Sequence, residues 1–284
     1  MHGPVIDAGV PPRLMLVVAH PDDETFGCGS LLLHAAASGA TTAVCCATRG
    51  EAGQPAPGSG VTREELPTVR ERELRAAARL LRVSRVDVLD FADSGMSGPA
   101  GPDTLAGAEF ADVCDRVRDC LEDFQPHVLV TLDAGDGHRD HARIRDATLA
   151  AAQQAHWQVD RLYLHCLPQV LMRRWLEHIA REHPTSQHLE ADVPGTPEEL
   201  ITTVVDTGRY LAERERANAA HASQVSPYDG LPVDLRLAFL TAEHLRRVVP
   251  AWNGGDRERD MFPQVTGAAR HVATSAPHHG SYRQ

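Results

Sequence analysis

Two stretches of this sequence concentrate side chains able to do metal or acid–base chemistry. They are Ala19-His20-Pro21-Asp22-Asp23-Glu24 and Asp133-Ala134-Gly135-Asp136-Gly137-His138-Arg139-Asp140-His141. Imidazole combined with carboxylate is borderline-hard ligation suited to zinc, and a catalytic zinc keeps three protein ligands and an open position for water. The ion lowers the pKa of that water toward about 7. A carboxylate outside the ligand set takes the remaining proton, and a second histidine stabilises the oxyanion or protonates a leaving amine. Asp22 and Asp23 are adjacent and cannot point the same way from an extended backbone, so one ligand and one base is the natural division. The residues alone do not say which is which. Each cluster also has a plainer reading: Asp140 as the cap of the next helix, and His-Pro-Asp as a turn. Their pairing favours a metal site and leaves the ligand set open.

The segments around the clusters predict the elements that position them. Leu14 to Val18 is a short continuous apolar run, as in a buried parallel strand. A helix follows over Gly27 to Ser38, then a strand over Thr41 to Cys46. Further helices are expected at Thr68–Leu81, Phe110–Phe124 and Asp140–Ala155, and strands at Arg85–Leu89 and Val128–Leu132. The alternation predicts an α/β, Rossmann-like, mostly parallel sheet with helices on both faces. The clusters then follow the first and fourth strands, at the carboxyl ends where such sheets collect ligands. Beyond Arg161 the pattern weakens into a smaller, irregular C-terminal part. There a strand is read at Leu162–Cys166, a helix at Leu171–Arg181, a strand at Ile201–Val205, and helices at Tyr210–Ala222 and Asp234–Val248. The expected organisation is a metal-binding core over residues 1–160, a part over 161–266 that completes the same domain and the cleft, and a flexible tail over 267–284.

Composition narrows the function classes. The 284 residues carry 28 basic and 39 acidic side chains, a net charge of −11. That sign argues against nucleic acid as a partner. All the basic residues are arginine, which excludes a Schiff-base lysine, a Walker-type lysine and a Ser-Lys dyad. No apolar run approaches the roughly 20 residues that span a bilayer, and the beginning of the chain lacks the pattern of a signal peptide. The six cysteines form no CxxC pair. They read as buried, reduced thiols of a cytoplasmic protein.

The stretch Val17-Val18-Ala19-His20-Pro21-Asp22-Asp23-Glu24 resembles the opening motif of the LmbE-like, or PIG-L, zinc deacetylases, which hydrolyse N-acyl groups from glucosamine-type sugars. Thr48-Arg49-Gly50-Glu51-Ala52-Gly53 is similar to their Gly-rich loop, and Arg70-Glu71-Arg72-Glu73-Leu74 to their Arg-x-x-Glu helix. Asp93-Ser94-Gly95-Met96 resembles a segment of the mycothiol-pathway branch. His138-Arg139-Asp140-His141 is similar to their His-x-Asp-His element, and His221-Ala222-Ser223-Gln224 to their C-terminal His-x-(Ser/Thr)-Gln. The likeness runs from about residue 12 to about residue 248.

The resemblance implies roles. His20, Asp23 and His141 would bind one zinc ion per chain, with Asp22 the general base. His138 would face the oxyanion, and Asp140 would orient and charge-balance a neighbouring histidine. Arg70 and Asp93 match positions that hold sugar hydroxyls. Two positions depart from the family: Arg139 replaces a frequent proline, and Asp136 replaces a tyrosine that assists at the oxyanion in the mycothiol-pathway enzymes. A carboxylate would repel an oxyanion, so Asp136 turns away or serves another purpose. The expected function is a zinc-dependent hydrolase removing an N-acyl group, foremost N-acetyl, from a glucosamine-type sugar derivative or glycosylated natural product. A mycothiol-conjugate-type amidase and a non-catalytic metal- or sugar-binding protein are the alternatives, and a homo-oligomer is open.

Overall fold

The computed structural model describes residues 11–182 and 193–262; the expected tail over 267–284, with its histidines, lies outside the described residues. In chain order the elements are β1 (Arg13–Val18), α1 (Asp23–Phe26), α2 (Gly29–Ala37), β2 (Thr41–Cys46), α3 (Leu66–Leu80), β3 (Arg85–Val88), α4 (Phe110–Phe124), β4 (Val128–Leu132) and α5 (Arg139–Gln154). They continue with β5 (Arg161–Cys166), α6 (Gln169–Glu182), β6 (Thr203–Asp206), α7 (Leu211–Asn218), α8 (Val233–Leu240) and β7 (Ala242–Val249). The strands form one sheet in the order β3-β2-β1-β4-β5-β7-β6. The first five run parallel, and β7 is antiparallel to both its neighbours.

The continuous apolar run of β1 is explained by burial on both faces. Leu14, Leu16 and Val18 join Leu31, Leu32 and Leu33 of α2 and Leu74 of α3. Met15 and Val17 join Val113, Val117 and Leu121 of α4 and Ile144, Ala147 and Ala151 of α5. The expected α/β, mostly parallel sheet with helices on both faces is what the chain adopts. Chain order reverses between β1, which continues outward to β2 and β3, and β4, which continues to β5. Both polar clusters leave the sheet at this switch point, where diverging connections open a crevice.

The expected helix over Asp234–Val248 is corrected. Helix α8 stops at Leu240, and the Thr207 N–H takes the Thr241 carbonyl. The chain then enters strand β7, where Glu243 and Leu245 are buried and His244 between them is only half-buried. Ala-Glu-His-Leu-Arg-Arg has helical propensity, but here two flanking strands offer it backbone partners on both edges, and that pairing prevails over a weak local preference. The helix expected to run to Ala222 ends at Asn218, and the turn after it carries His221.

Candidate active site

The tip of β1 is a tight turn. Asp23 Oδ2 accepts the backbone N–H groups of Ala19 at 3.2 Å and His20 at 2.8 Å. This fixes the carboxylate beside the His20 ring, with Oδ2 3.6 Å from His20 Nδ1 and Oδ1 3.4 Å from His141 Nε2. Asp22 has φ of 148°, a conformation that costs energy for a residue with a side chain and persists only where surroundings hold it. Three side chains hold this turn with four hydrogen bonds. Arg70 donates to the Pro21 carbonyl at 3.0 Å and to Asp22 Oδ2 at 2.9 Å. Gln224 donates to the same carbonyl at 2.8 Å, and Glu24 Oε2 accepts the Asp22 N–H at 2.9 Å. Glu24 is fully buried, and its other oxygen faces His221 Nε2 at 2.9 Å. The C-terminal His-Ala-Ser-Gln segment thus braces the first cluster from behind.

Arg70 reaches the turn because it occupies the buried stripe of α3, one turn from Leu66 and one from Leu74. Its guanidinium also donates to the Gly50 carbonyl at 2.9 Å. Gly50 has φ of +69°, and a Cβ there would lie 2.1 Å from Arg70 Nη1, so the Gly-rich loop needs glycine at this point.

The second cluster opens α5. His138 is its N-cap, and Nδ1 accepts the Asp140 N–H at 3.1 Å. A nitrogen that accepts carries no proton, so in the neutral ring the proton sits on Nε2. Burial and the neighbouring His20 and His141 lower the pKa of His138, which favours that neutral form. Helical spacing stacks His138 on His141, ring centroids 4.7 Å apart, and His20 lies 4.7 Å from His138. Asp140 is fully buried, and its Oδ2 lies 3.3 Å from His20 Nε2 while accepting the Ser94 N–H at 2.9 Å. Asp93 Oδ1 lies 3.5 Å from the same His20 nitrogen and accepts the Gly95 N–H at 2.8 Å.

All eight residues singled out from the sequence therefore converge. Arg70 and Asp93 turn inward, Arg70 onto the Pro21–Asp22 turn and Asp93 onto His20. Both departures from the family pattern have partners. The Arg139 guanidinium donates to the carbonyls of Gly95 at 2.6 Å, Gly98 at 2.7 Å and Ser97 at 3.2 Å, tying down the loop that carries Asp93. Asp136 turns to His141, with Oδ2 2.6 Å from Nδ1.

The donor set fits a divalent cation. In a tetrahedral site with bonds of 2.0–2.1 Å, neighbouring ligand atoms stand roughly 3.3–3.4 Å apart; Asp23 meets His20 Nδ1 at 3.6 Å through Oδ2 and His141 Nε2 at 3.4 Å through Oδ1. The ligand atoms of His20, His138 and His141 lie within 4.8 Å of one another, as do those of His20, Asp93 and Asp140. In the latter set the carboxylate oxygens facing His20 are already held by backbone N–H groups. They suit an outer layer that orients the ring.

The electrostatics agree. Five carboxylates, of Asp22, Asp23, Asp93, Asp136 and Asp140, gather around these histidines and the Arg70 guanidinium. Burial works against charge on His20 and His141. Asp140, Asp23 and Asp93 nonetheless hold His20 well above its usual value, and Asp23 and Asp136 push His141 up to about 10. Burial raises Asp22 to about 6, against the pull of Arg70 and with help from the Asp23 charge.

Beneath this cluster lies a second one that sequence reasoning missed. Arg214 Nη1 donates to Glu243 Oε1 at 2.8 Å, and His165 Nε2 lies 3.0 Å from Glu243 Oε2. Arg214 also donates to the Phe26 and Gly27 carbonyls at the end of α1. His165 carried no usable spacing, and Glu243 was hidden in the expected helix. Cys28 is fully buried, and burial raises its pKa, so near neutrality it stays a thiol, as expected of the cysteines.

A family model described as PIG-L, GlcNAc-PI de-N-acetylase, matches residues 15–152. The 1D-myo-inositol 2-acetamido-2-deoxy-alpha-D-glucopyranoside deacetylase 1 of Saccharopolyspora erythraea is 36% identical over 239 residues, covering 76% of this chain and 78% of its own. This chain belongs to the PIG-L family. The PIG-L membership expected from the motifs holds, and with it the expectation of an amide-hydrolysing enzyme. Among solved structures, a deacetylase of the teicoplanin biosynthesis pathway is similar over 83% of this chain and 97% of its own, with 21% identity and a TM-score of 0.59. The 4-carboxy-2-hydroxymuconate hydratase of Pseudomonas putida is similar over 86% and 99%, with 17% identity and a TM-score of 0.56. At these identities the likeness to PIG-L-type structures is one of fold. A hydratase on the same scaffold makes the point that chemistry lies in the site. Among the described residues no helix is long and apolar enough to cross a membrane.

Proposed function

We propose that this chain is a zinc-dependent N-deacetylase acting on a glucosamine-type sugar derivative in the cytoplasm. His20 Nδ1, Asp23 and His141 Nε2 hold the ion. The site, when loaded, supplies a Lewis acid for the amide carbonyl and a water that is readily deprotonated near neutral pH. Asp22 takes the proton of the attacking water as the new C–O bond forms. The His138 Nε2–H donates to the oxyanion. The C–N bond then breaks, and Asp22 returns its proton to the leaving amine, giving a free amino sugar and a carboxylate. A base that titrates at about 6 can both accept and return a proton near neutrality.

Arg70 holds Asp22 in its strained conformation. Asp93 and Asp140 fix the Nε2 edge of His20, so that Nδ1 faces Asp23. The sugar approaches from the side of Arg70 and Asp93. The observation that carries this reading is Asp22 standing beside the His20–Asp23–His141 set, with its carboxylate anchored but outside that set. The relatives named as deacetylases of an N-acetylated glucosaminide support the substrate class. The decisive experiment combines metal analysis with N-acetylglucosamine hydrolysis by wild type and Asp22→Asn. The variant should keep its metal and lose about 10²–10⁴-fold in kcat. Unchanged hydrolysis, or no stoichiometric metal in the active protein, overturns the mechanism.

A further inference from the structure

A cavity of about 210 Å³ opens beside the site. Asp23, Asp136 and His141 form one wall, Phe26, Leu132, Leu167, Met172, Trp175 and Phe239 form much of the rest, and Asp133, His165 and Tyr228 also line it. Its position follows from topology. Arg70 and Asp93 come from the segments after β2 and β3, on one side of β1. The cavity is built by segments after β4 and β5 and by α8, on the other side, with Phe26 at the end of α1. The candidate metal ligands thus sit on a boundary between a polar flank and an apolar one.

A bound amide straddles that boundary, and its direction is constrained. The leaving nitrogen must lie near Asp22, which returns the proton, and Arg70 holds Asp22 on the polar flank. A sugar pushed into this mostly apolar cavity would meet polar groups already engaged, Asp133 with Thr196, Asp136 with His141, His165 with Glu243 and Tyr228 with the Phe26 carbonyl, and hydroxyls left without partners carry a cost for each. The acyl carbon chain has no polar atom beyond the carbonyl and extends away from the nitrogen. An acetyl group offers that flank a single methyl. By comparison, an apolar cavity of about 150 Å³ takes a benzene ring.

We infer that the cavity between the β4 and β5 tips and α8 receives the acyl group of the substrate, and that this acyl group is apolar and larger than acetyl, of about hexanoyl size. The inference rests on the deacylase reading above and changes its preferred leaving acid from acetate to a medium-length or aryl carboxylic acid. The bond change is the same: water adds to the carbonyl carbon, the C–N bond breaks, and the amine departs with the proton.

The test compares N-acetyl-, N-butanoyl- and N-hexanoylglucosamine as substrates of the full metal-loaded chain. Burying each added methylene should raise kcat/KM roughly fourfold, so hexanoyl should exceed acetyl by at least about tenfold. Leu167→Trp, which narrows the cavity, should bring the hexanoyl-to-acetyl ratio down toward about one. A wild-type ratio of one or below overturns the inference and leaves the deacetylase intact. Turnover of none of the three overturns the deacylase reading instead. The cavity is then judged by binding, followed through Trp175 fluorescence with Trp175→Phe as the control. Hexanoate binding well above acetate supports an acyl site. Hexyl glucoside binding while hexanoate does not would mean that the cavity takes the far end of the sugar, and equal, weak binding of all three would mean that it takes neither; both results overturn the inference.

Discussion

Two clusters of buried histidines and carboxylates meet the two ends of α1, an upper one at Asp23 and a lower one at the Phe26 and Gly27 carbonyls, made of the same residue types and organised on opposite principles. In the lower one, each carboxylate oxygen has its own donor: Arg214 and Glu243 are each 1% exposed and 2.8 Å apart, and His165 takes the second Glu243 oxygen. The remaining Arg214 bonds go to the end of α1. In the upper one, Asp22, Asp23, Asp93, Asp136 and Asp140 crowd around three imidazoles and one guanidinium, and Asp23 and His141 form a wall of a cavity. A closed arrangement of this kind is the signature of a brace, because both oxygens of its one carboxylate are already taken. Convergence of like charges at a strand switch point destabilises the protein that carries it, and such clusters mark sites that bind or react.

The sharpest way to break this comparison is to remove one carboxylate from each cluster. Asp23→Ala should take the protein's bound metal to near zero by elemental analysis and its hydrolysis to background, with little change in the melting temperature of chelator-treated protein. Removing metal from wild type by chelation should do the same to activity, and zinc should restore it. Glu243→Ala should behave in the opposite way. It leaves Arg214 charged and unpaired in the interior, a loss of about 3–5 kcal/mol that denaturant titration will read, while molecules that stay folded keep their metal. If Glu243→Ala loses metal at full stability, the two clusters are one functional unit and the division drawn above fails.

The upper cluster was legible in the sequence because its residues are local. His20 to Glu24 sit within one turn, and His138 to His141 within one turn of helix. An apolar run precedes each, so the placement at strand ends could be read directly. Arg70 was readable in principle as well, since Leu66, Arg70 and Leu74 form one stripe with a charge in an otherwise apolar line. The lower cluster had no such signal. Arg214, His165 and Glu243 come from three distant segments. The strand that presents Glu243 has helix-forming residues whose conformation is settled only by its neighbours in the sheet. The partner of Asp136 was equally invisible, because which way a carboxylate turns out of a glycine-flanked loop depends on the tertiary positions of the groups around it.

Asp136 offers a finer cut within the upper cluster. Its carboxylate meets the His141 nitrogen opposite the one facing Asp23, the arrangement by which outer carboxylates orient a histidine ligand and raise its basicity. Asp136→Asn keeps the shape and removes the charge. It should weaken metal binding by about 10–100-fold in competition with a chelator of known affinity, and lower activity mainly at limiting metal. An effect on kcat with unchanged metal affinity would place Asp136 at the substrate instead.

The smallest effect concerns pH and belongs to the lower cluster. Against the cost of burial, Cys28 and Glu243 push His165 up to about 10, whereas an unfolded histidine titrates near 6.5. Near neutrality, where Cys28 is a thiol, Glu243 is the charge that holds the proton there, and a Cys28 charge adds to it only at the alkaline end of the range. A folded-state pKa above the unfolded one means that the native state binds the proton more tightly. The resulting stability is complete below about pH 6.5 and is lost as pH rises toward about 10. The stability difference between wild type and His165→Gln, measured by denaturant titration of chelator-treated protein, should therefore be largest near pH 6 and shrink steadily up to pH 10. A difference that stays flat over this window would show that His165 is already neutral in the folded protein. Glu243 would then be balanced by Arg214 alone, and the two-on-one arrangement would reduce to a single buried ion pair.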